Sequence, residues 1–225
     1  MTAEALQATV FAYLERLGFR PAKWLPLPDV NQPIRPFTEV AARLMALDAV
    51  FCWVAFPEDT AATTRLEKYV DRNCLRDWLT EEESRILALP REEAHQSHVD
   101  TIGWKLENMW PLAWVLGFDP EPGLEASQVG EDITRPMIYQ FLPGLDGTVD
   151  QLLAKYSPRS AADVIAMEYR FYCAHNAVRS AQLGSQTVPE GFDPIAHGGA
   201  VHERRHALSW SLSPEVARED TDLST

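Results

Sequence analysis

Apolar residues recur every three or four positions along most of this chain, and hydrophobic–polar alternation of useful length is absent. In the first such segment these residues are Leu6, Val10, Leu14 and Leu17. This spacing places them on one face of a helix. The stretch FRPAKWLPLPDVNQPIRPF cannot be regular helix, because it contains five prolines. The pattern predicts an all-α, single-domain irregular bundle of about eight or nine helices with long Pro-rich loops.

Three segments are expected along the chain. Residues 1–37 form an N-terminal helix and a Pro-rich strap, which Trp24 and Leu25 anchor to the body of the protein. Residues 38–213 form the helical core domain. Residues 214–225 form a disordered tail.

The core segment carries its own helix signals. Residues 38–56 are apolar nearly all round, so this helix is expected at the centre. Thr80, with Glu83 three positions later, forms a capping box that predicts a helix start. Pro111 predicts a kink or a new helix capped by Asn108. Further helices are expected at 60–78, 148–155, 160–183 and over the closing HERRH region, with a long loop at 118–147 that includes one short helix at 137–141.

The formal net charge of −13 comes from 33 acidic and 20 basic residues. Such a field repels phosphate backbones, so neither nucleic acid nor an anionic membrane surface is an expected partner. A basic protein is attracted instead, and its association is accelerated. The alternative is that the acidity only keeps the protein soluble.

The cysteines Cys52, Cys74 and Cys173 are odd in number and widely spaced, which favours a reducing cytosol over a disulfide framework. The first residues lack the basic start and apolar core of a signal peptide. The most apolar stretch, AARLMALDAVFCWVAF, is too short to span a bilayer. A cytoplasmic protein without a membrane-spanning helix is expected.

The run HERRH at 202–206 matches the HExxH pattern of zinc peptidases. On a helix, His202 and His206 would bind the metal and Glu203 would act as general base. A catalytic zinc also needs a third protein ligand, but the positions where metzincins place further residues are Ser209 and Leu212. An upstream ligand at His175 or His197 would have no recognised spacing.

A structural interpretation of the same helix is favoured. Val201, Leu208 and Leu212 form an apolar stripe that faces the core. The two histidines flank this stripe in a hydrogen-bonded polar seam. Arg204 and Arg205 would place two positive charges beside a dication, which is costly. We therefore predict no metal and no cofactor.

Two other clusters have both a functional and a structural interpretation. The first comprises Glu168, Tyr172, His175 and Arg179. It is an acid–base set with a binding arginine or, as we favour, a hydrogen-bonded ladder along one helix. The second is the pair His95 and His98, for which a solvated helix start is favoured over a metal pair. Ser209 and Cys173 lack the sequence context of catalytic nucleophiles.

Three stretches resemble a known family. GWKLENMWPLAWVLGF resembles a signature W-[RK]-x-E followed by a W-A-L-G element, EYRFYCAHNAVRSAQLG is similar to a Y-R-x-x-W-A helix, and VHERRHALSW is similar to a closing E-R-x-x-A-L-N-W helix. The matching residues are Trp104, Lys105, Glu107, Trp114, Leu116, Gly117, Tyr169, Arg170, Ala174, Glu203, Arg204, Ala207, Leu208 and Trp210. Pro111, Val115, Cys173 and Ser209 depart from the pattern. On these residues the chain is identified as a member of the bacterial domain of unknown function 4272, over roughly residues 35–213.

The resemblance implies a fold and little chemistry. Its recurrent features are the Glu–Arg pair and the tryptophan of the closing helix, whereas histidine at the position of His202 is not obligatory. The recurrent polar residues are interpreted as an ionic network of Glu107, Arg170, Glu203 and Arg204. Around this network Trp104, Trp114 and Trp210 would form an aromatic wall.

The favoured function is a non-catalytic, acidic interaction protein that binds a basic partner, such as an inhibitor or immunity protein for a toxin. The alternatives are a metal-dependent hydrolase that uses the HERRH helix and a scaffold that binds a small molecule between tryptophan-rich helices.

Overall fold

The computed structural model describes residues 1–124 and 128–225, and within these ranges the fold is all-α, with ten α-helices and no strand. The helices are α1 Ala3–Arg16, α2 Phe37–Ala55, α3 Thr63–Arg72, α4 Glu81–Ala88, α5 Arg91–His98, α6 Trp104–Val115, α7 Glu131–Pro136, α8 Val149–Lys155, α9 Ala161–Gln182 and α10 Gly198–Ser211. Shorter turns of 3-10 helix lie at Leu75–Trp78 and Arg218–Asp220, and a π-helical turn lies at Met137–Phe141. The predicted all-α class is confirmed.

The described helices outnumber the eight or nine expected, and several boundaries differ. The helix predicted at 60–78 ends at Arg72, because Cys74 adopts a left-handed conformation (φ 51°) before the 3-10 turn. The short helix predicted at 137–141 is preceded by α7. Part of the loop predicted at 118–147 falls on residues 125–127, which lie outside the described residues.

The chain divides into two compact units. Unit 1 comprises residues 1–35, 122–128 and 159–225, and unit 2 comprises residues 36–121 and 129–158. This division differs from the expected segments 1–37, 38–213 and 214–225, which stay predictions.

Unit 2 is built around α2, whose residues are buried on nearly all sides. The helix packs against α3, α4, α5, α6 and α8. Pro36 precedes its first turn and Pro57 follows its C-terminal cap at Phe56. The helix that the sequence predicts as central is therefore the centre of this unit.

Helix α6 continues through Pro111, so no new helix begins at Asn108. It ends at Val115, and Gly117, two residues later, has a positive φ of 107°. A Cβ atom at this position would lie 2.6 Å from the carbonyl oxygen of Ser157. The close approach of the two backbones therefore requires glycine here.

A carboxyl group is buried inside unit 2. Asp48 is 3% exposed, and its oxygens accept hydrogen bonds from the Tyr69 hydroxyl at 3.2 Å and the Cys52 thiol at 3.6 Å. Burial raises the pKa of Asp48 from its ordinary value of 3.8 to about 6, although both hydrogen bonds oppose this shift.

The buried carboxyl of Asp48 predicts a pH dependence of stability. Between about pH 4 and pH 6 the Asp48 carboxyl is protonated in the folded state and ionised in the unfolded state. Its contribution to the free energy of unfolding is therefore fully present below about pH 4 and is lost as pH rises to about 6. We expect Asp48→Asn to gain about 3 kcal/mol of unfolding free energy relative to the wild type across this window. Urea denaturation of both proteins at a series of pH values measures the difference. A constant difference between the two proteins from pH 4 to pH 7 would contradict the prediction.

Unit 1 combines α1, the Pro-rich strap, α9 and α10. The side chain of Asn176 accepts a hydrogen bond from the strap at Ala22, and Gln7 and Tyr169 donate to the strap carbonyls of Leu25 and Pro26. Leu25 is buried as predicted, whereas Trp24 is 75% exposed, so the predicted anchoring by Trp24 is wrong. Polar side chains of α1 and α9 hold the strap in its place.

The strap ends at Arg35, which is buried beneath the C-terminus of α10. Its guanidinium lies over the Trp210 ring, 4.1 Å from the centroid, and donates to the carbonyls of Trp210, Ser213 and Val216. Trp210 lies in the last turn of α10, and Ser213 and Val216 follow the helix, so the Arg35 guanidinium binds the C-terminal end of α10 and complements the negative end of its dipole.

Candidate functional site

Helix α10 places the HERRH run against α9 in unit 1. A Cβ atom on Gly198, the first residue of α10, would lie 2.8 Å from a methyl carbon of Val178 on α9. The glycine thus allows the two helices to approach closely. Val201 and Leu208 of α10 are buried as the apolar stripe predicts.

The imidazole rings of three histidines form a row along this helix pair. The His202 ring centroid lies 5.3 Å from that of His175 on α9 and 6.2 Å from that of His206. The Nε2 atom of His206 lies 2.9 Å from the carbonyl oxygen of Arg218. Because a carbonyl only accepts, this nitrogen carries a proton and is not a free lone pair.

Each of these histidines is electrically neutral near pH 7. Burial, Arg205 and His202 lower the pKa of His175 to about 3. Burial and the nearby charge of Arg218 lower the pKa of His206 to about 4. Burial also lowers the pKa of His202.

Glu203, the residue that the zinc hypothesis assigns as base, lies beside two other side chains. Its carboxylate is 3.5 Å from Arg218 Nη2 and 4.0 Å from His202 Nε2. Over residues 1–124 and 128–225 no cluster of three or more His, Cys, Asp or Glu side chains is placed to hold a metal ion. The HERRH pair is therefore not joined by a third ligand in the described part of the chain.

Arg205 of α10 contacts three side chains of α9, and no local pattern in the sequence predicts these contacts. Its guanidinium donates to His175 Nδ1 at 2.9 Å, lies 3.4 Å from the Glu168 carboxylate and packs 4.8 Å from the Tyr172 ring centroid. Arg179, the fourth member of the predicted ladder, donates instead to Gln182 on its own helix. In the hydrogen-bonded ladder, Arg205 of α10 therefore takes the place that the prediction gives to Arg179.

The C-terminal segment, for which the sequence predicts disorder, is placed against this cluster. Arg205 donates to the carbonyl oxygens of Leu223 at 2.8 Å and Ser224 at 3.2 Å. The His206 contact with Arg218 lies on the same segment. Two side chains of α10 therefore bind backbone atoms of residues 218–224.

The four residues of the predicted ionic network lie in different units. Glu107, in unit 2, is fully buried and accepts a hydrogen bond from the Val129 backbone at 2.7 Å. In unit 1 the Arg204 side chain donates to the Gly123 carbonyl, and Arg170 lies over the Tyr13 ring. The network stays a prediction.

The aromatic wall also stays a prediction, because its tryptophans belong to both units. Trp114 and Trp210 are buried and Trp104 is half-buried.

A cleft of about 340 Å³ lies in unit 2 at the C-terminal end of α2, and we call it the α2 cleft. Its apolar wall includes Trp53, Ala55 and Phe56, and its polar residues are Glu58, Arg91, Glu92 and His95. Of the predicted pair His95 and His98, His95 is a cleft residue, and its Nδ1 lies 2.9 Å from the Val54 carbonyl oxygen. No pattern in the sequence brings α2 and α5 together at this point.

A second cleft of about 400 Å³ shares Phe56 and also includes Phe51, Ile138 and Glu131. Tyr139, 61% exposed, stacks on Phe56 with ring centroids 6.2 Å apart. Exposed aromatic and acidic side chains therefore occur together on unit 2.

The described part of the chain is an all-α protein with two clefts on unit 2. None of the described helices is long and apolar enough to cross a membrane. The chain belongs to the family described as a domain of unknown function, DUF4272, whose match covers residues 7–221. This confirms the resemblance of the tryptophan-rich and closing motifs. No curated protein and no solved structure matches the chain.

Proposed function

We propose that the protein is a non-catalytic, cytosolic binding protein that holds a basic protein partner on the acidic surface of unit 2, as an inhibitor or immunity protein holds a toxin. The observation that carries the proposal is the distribution of charge. Unit 2 contains 20 acidic and 10 basic residues, a net charge of −10, out of −13 for the whole chain. Sixteen of these acidic side chains are exposed, against seven of the basic ones.

This surplus of exposed carboxylates favours a cationic partner in two ways. Its field accelerates the encounter with a positively charged protein and repels anionic ones. Within the complex, carboxylates that occupy a basic active-site cleft would block access to that cleft. Exposed Tyr139 and the clefts beside Phe56 supply apolar contact area, which charge alone does not provide.

The proposal is tested by capture of host-cell proteins on the immobilised full chain at about 50 mM and about 500 mM salt. We expect basic proteins to bind at the lower salt concentration and to be released at the higher one. The test variant replaces four exposed glutamates of α4 and α5 by glutamine: Glu81, Glu82, Glu92 and Glu93. Its matched control replaces four exposed glutamates of unit 1: Glu4, Glu15, Glu190 and Glu219.

The unit 2 variant should lose the basic proteins that the wild type captures, and the unit 1 variant should retain them. Recovery of no basic protein at low salt, or equal retention by both variants, would contradict the proposed function.

A further inference from the structure

We propose that the α2 cleft binds an arginine side chain of a basic protein. This inference rests on the proposed function and specifies the chemical group that the acidic surface of unit 2 recognises. The cleft lies at the C-terminal end of α2, where Arg91 and His95 bind the last carbonyls of the helix. Glu58 and Glu92 add two carboxylates to its polar side. The position therefore favours a cation over an anion.

Arg91 does not make the cleft an anion site, because carbonyl oxygens already occupy its guanidinium. It donates to the carbonyls of Cys52 and Trp53 at 3.2 Å each, and to those of Phe56 and Ala61. One further bond of 3.0 Å goes to Glu58. Arg91 thus caps the end of α2, and its side chain is only 12% exposed.

Two carboxylates, Glu58 and Glu92, lie beside the single cation Arg91, and Glu58 is paired with it. Glu92 is exposed and accepts a 3.4 Å hydrogen bond from Gln96. The Glu58 side chain is 65% exposed although it also accepts from Thr63. The charged side chains of the cleft therefore sum to −1, and an added guanidinium would neutralise it.

His95 supplies a hydrogen-bond acceptor at the same place. Its Nδ1 lies 2.9 Å from the Val54 carbonyl oxygen, which only accepts, so in the tautomer that makes this bond the Nε2 atom carries the lone pair. A planar guanidinium has several donors and packs well on apolar and aromatic surfaces, here Ala55 and Phe56. A lysine ammonium is more strongly hydrated and makes poorer use of such a wall.

The probes are labelled tetra-arginine, tetra-lysine and tetra-citrulline peptides, and fluorescence anisotropy on the full-length protein at low salt measures their binding. We expect affinity to fall in the order arginine, lysine, citrulline. Glu92→Gln should weaken tetra-arginine binding about three- to five-fold, as loss of one partly exposed ion pair implies.

Glu93→Gln is the matched control, because Glu93 is an exposed neighbour in the same helical turn and does not line the cleft. It removes the same charge from the general field and should leave the affinity nearly unchanged. In an NMR titration the Trp53 indole signal should shift with tetra-arginine.

Equal weakening by both variants would overturn the arginine site while leaving a general attraction to basic proteins intact. Equal affinity for arginine and lysine, without a Trp53 shift, would overturn it as well. If wild-type protein binds none of the peptides at low salt, the site is also refuted, and capture of whole basic proteins still tests the proposed function separately.

Discussion

Replacing Glu83 by glutamine is expected to lower the free energy of unfolding by about 3–5 kcal/mol, because it strands a buried positive charge. Glu83 and Arg43 are 1% and 2% exposed, and they are joined by two hydrogen bonds of 2.5 Å and 2.8 Å. Burial alone would raise the pKa of Glu83, but the charge and hydrogen bonds of Arg43 outweigh it and hold the pKa far below its ordinary value. Lys105 adds a second cation 3.1 Å away.

Loss of the helix cap does not account for this effect. Glu83 is the third residue of α4 and, as part of the capping box, accepts from the Thr80 backbone N–H, a bond that glutamine can also make. The matched control is Glu82→Gln, since Glu82 pairs with the same Lys105 at 3.2 Å but is 69% exposed. Its replacement should change the unfolding free energy by less than about 1 kcal/mol.

Urea denaturation at neutral pH compares the two variants with the wild type. Replacing both Arg43 and Glu83 by apolar residues of similar volume should cost less than Glu83→Gln alone, because no charge is left unpaired. Similar stability of Glu83→Gln and Glu82→Gln would show that the Arg43–Glu83 pair does not support unit 2.

Replacing Arg205 by methionine is expected to lower the unfolding free energy by about 2–3 kcal/mol, somewhat less than a fully buried pair, since Glu168 is 17% exposed. The change removes donors to His175, Glu168 and the carbonyls of Leu223 and Ser224 together. Arg205→Lys keeps the charge but loses the planar fork, so its effect should be intermediate.

Two measurements separate this role from a general loss of packing. Amide hydrogen exchange should accelerate at residues 218–224 in the methionine variant, because their carbonyls lose the guanidinium. The pKa of His175, which burial and then Arg205 hold at about 3, should rise in an NMR titration of that variant. Unchanged exchange and an unchanged His175 titration would contradict the bridging role of Arg205.

A local sequence signal predicts the start of α4 correctly, because the capping box of Thr80 and Glu83 begins this helix. Capping side chains of the same kind begin α1, at Thr2, and α9, at Ser160 with Asp163. The nearly all-apolar segment at 38–56 became the central helix of unit 2. These features depend on residues within one or two helical turns, which spacing alone identifies.

Contacts between distant residues could not be predicted in the same way. Arg43 and Glu83 are 40 positions apart, and the pattern of α2 marks Arg43 only as a polar residue in an apolar helix. The strap illustrates the opposite error, because hydrophobicity alone favoured burial of Trp24 although Leu25 takes the buried position. Whether Trp24 or its neighbour Leu25 is buried depends on the shape of the protein surface beneath the strap.

The sequence does not predict the α2 cleft for a related reason. Spacing pairs His95 with His98 on its own helix, whereas the hydrogen-bond partner of His95 is Val54, 41 positions earlier. Pro57 predicts the end of α2, but nothing in the sequence shows that Arg91 caps this end.

The discontinuity of unit 1 has a consequence during protein synthesis. Unit 2 consists of residues 36–121 and 129–158, so its whole sequence is synthesised before α9 and α10 of unit 1. The strap instead finds its partners on α9 and α10, more than 140 residues later. Until those helices emerge, the strap lacks these partners and α1 lacks its contacts with α9, so apolar residues of the N-terminal segment stay exposed on the nascent chain.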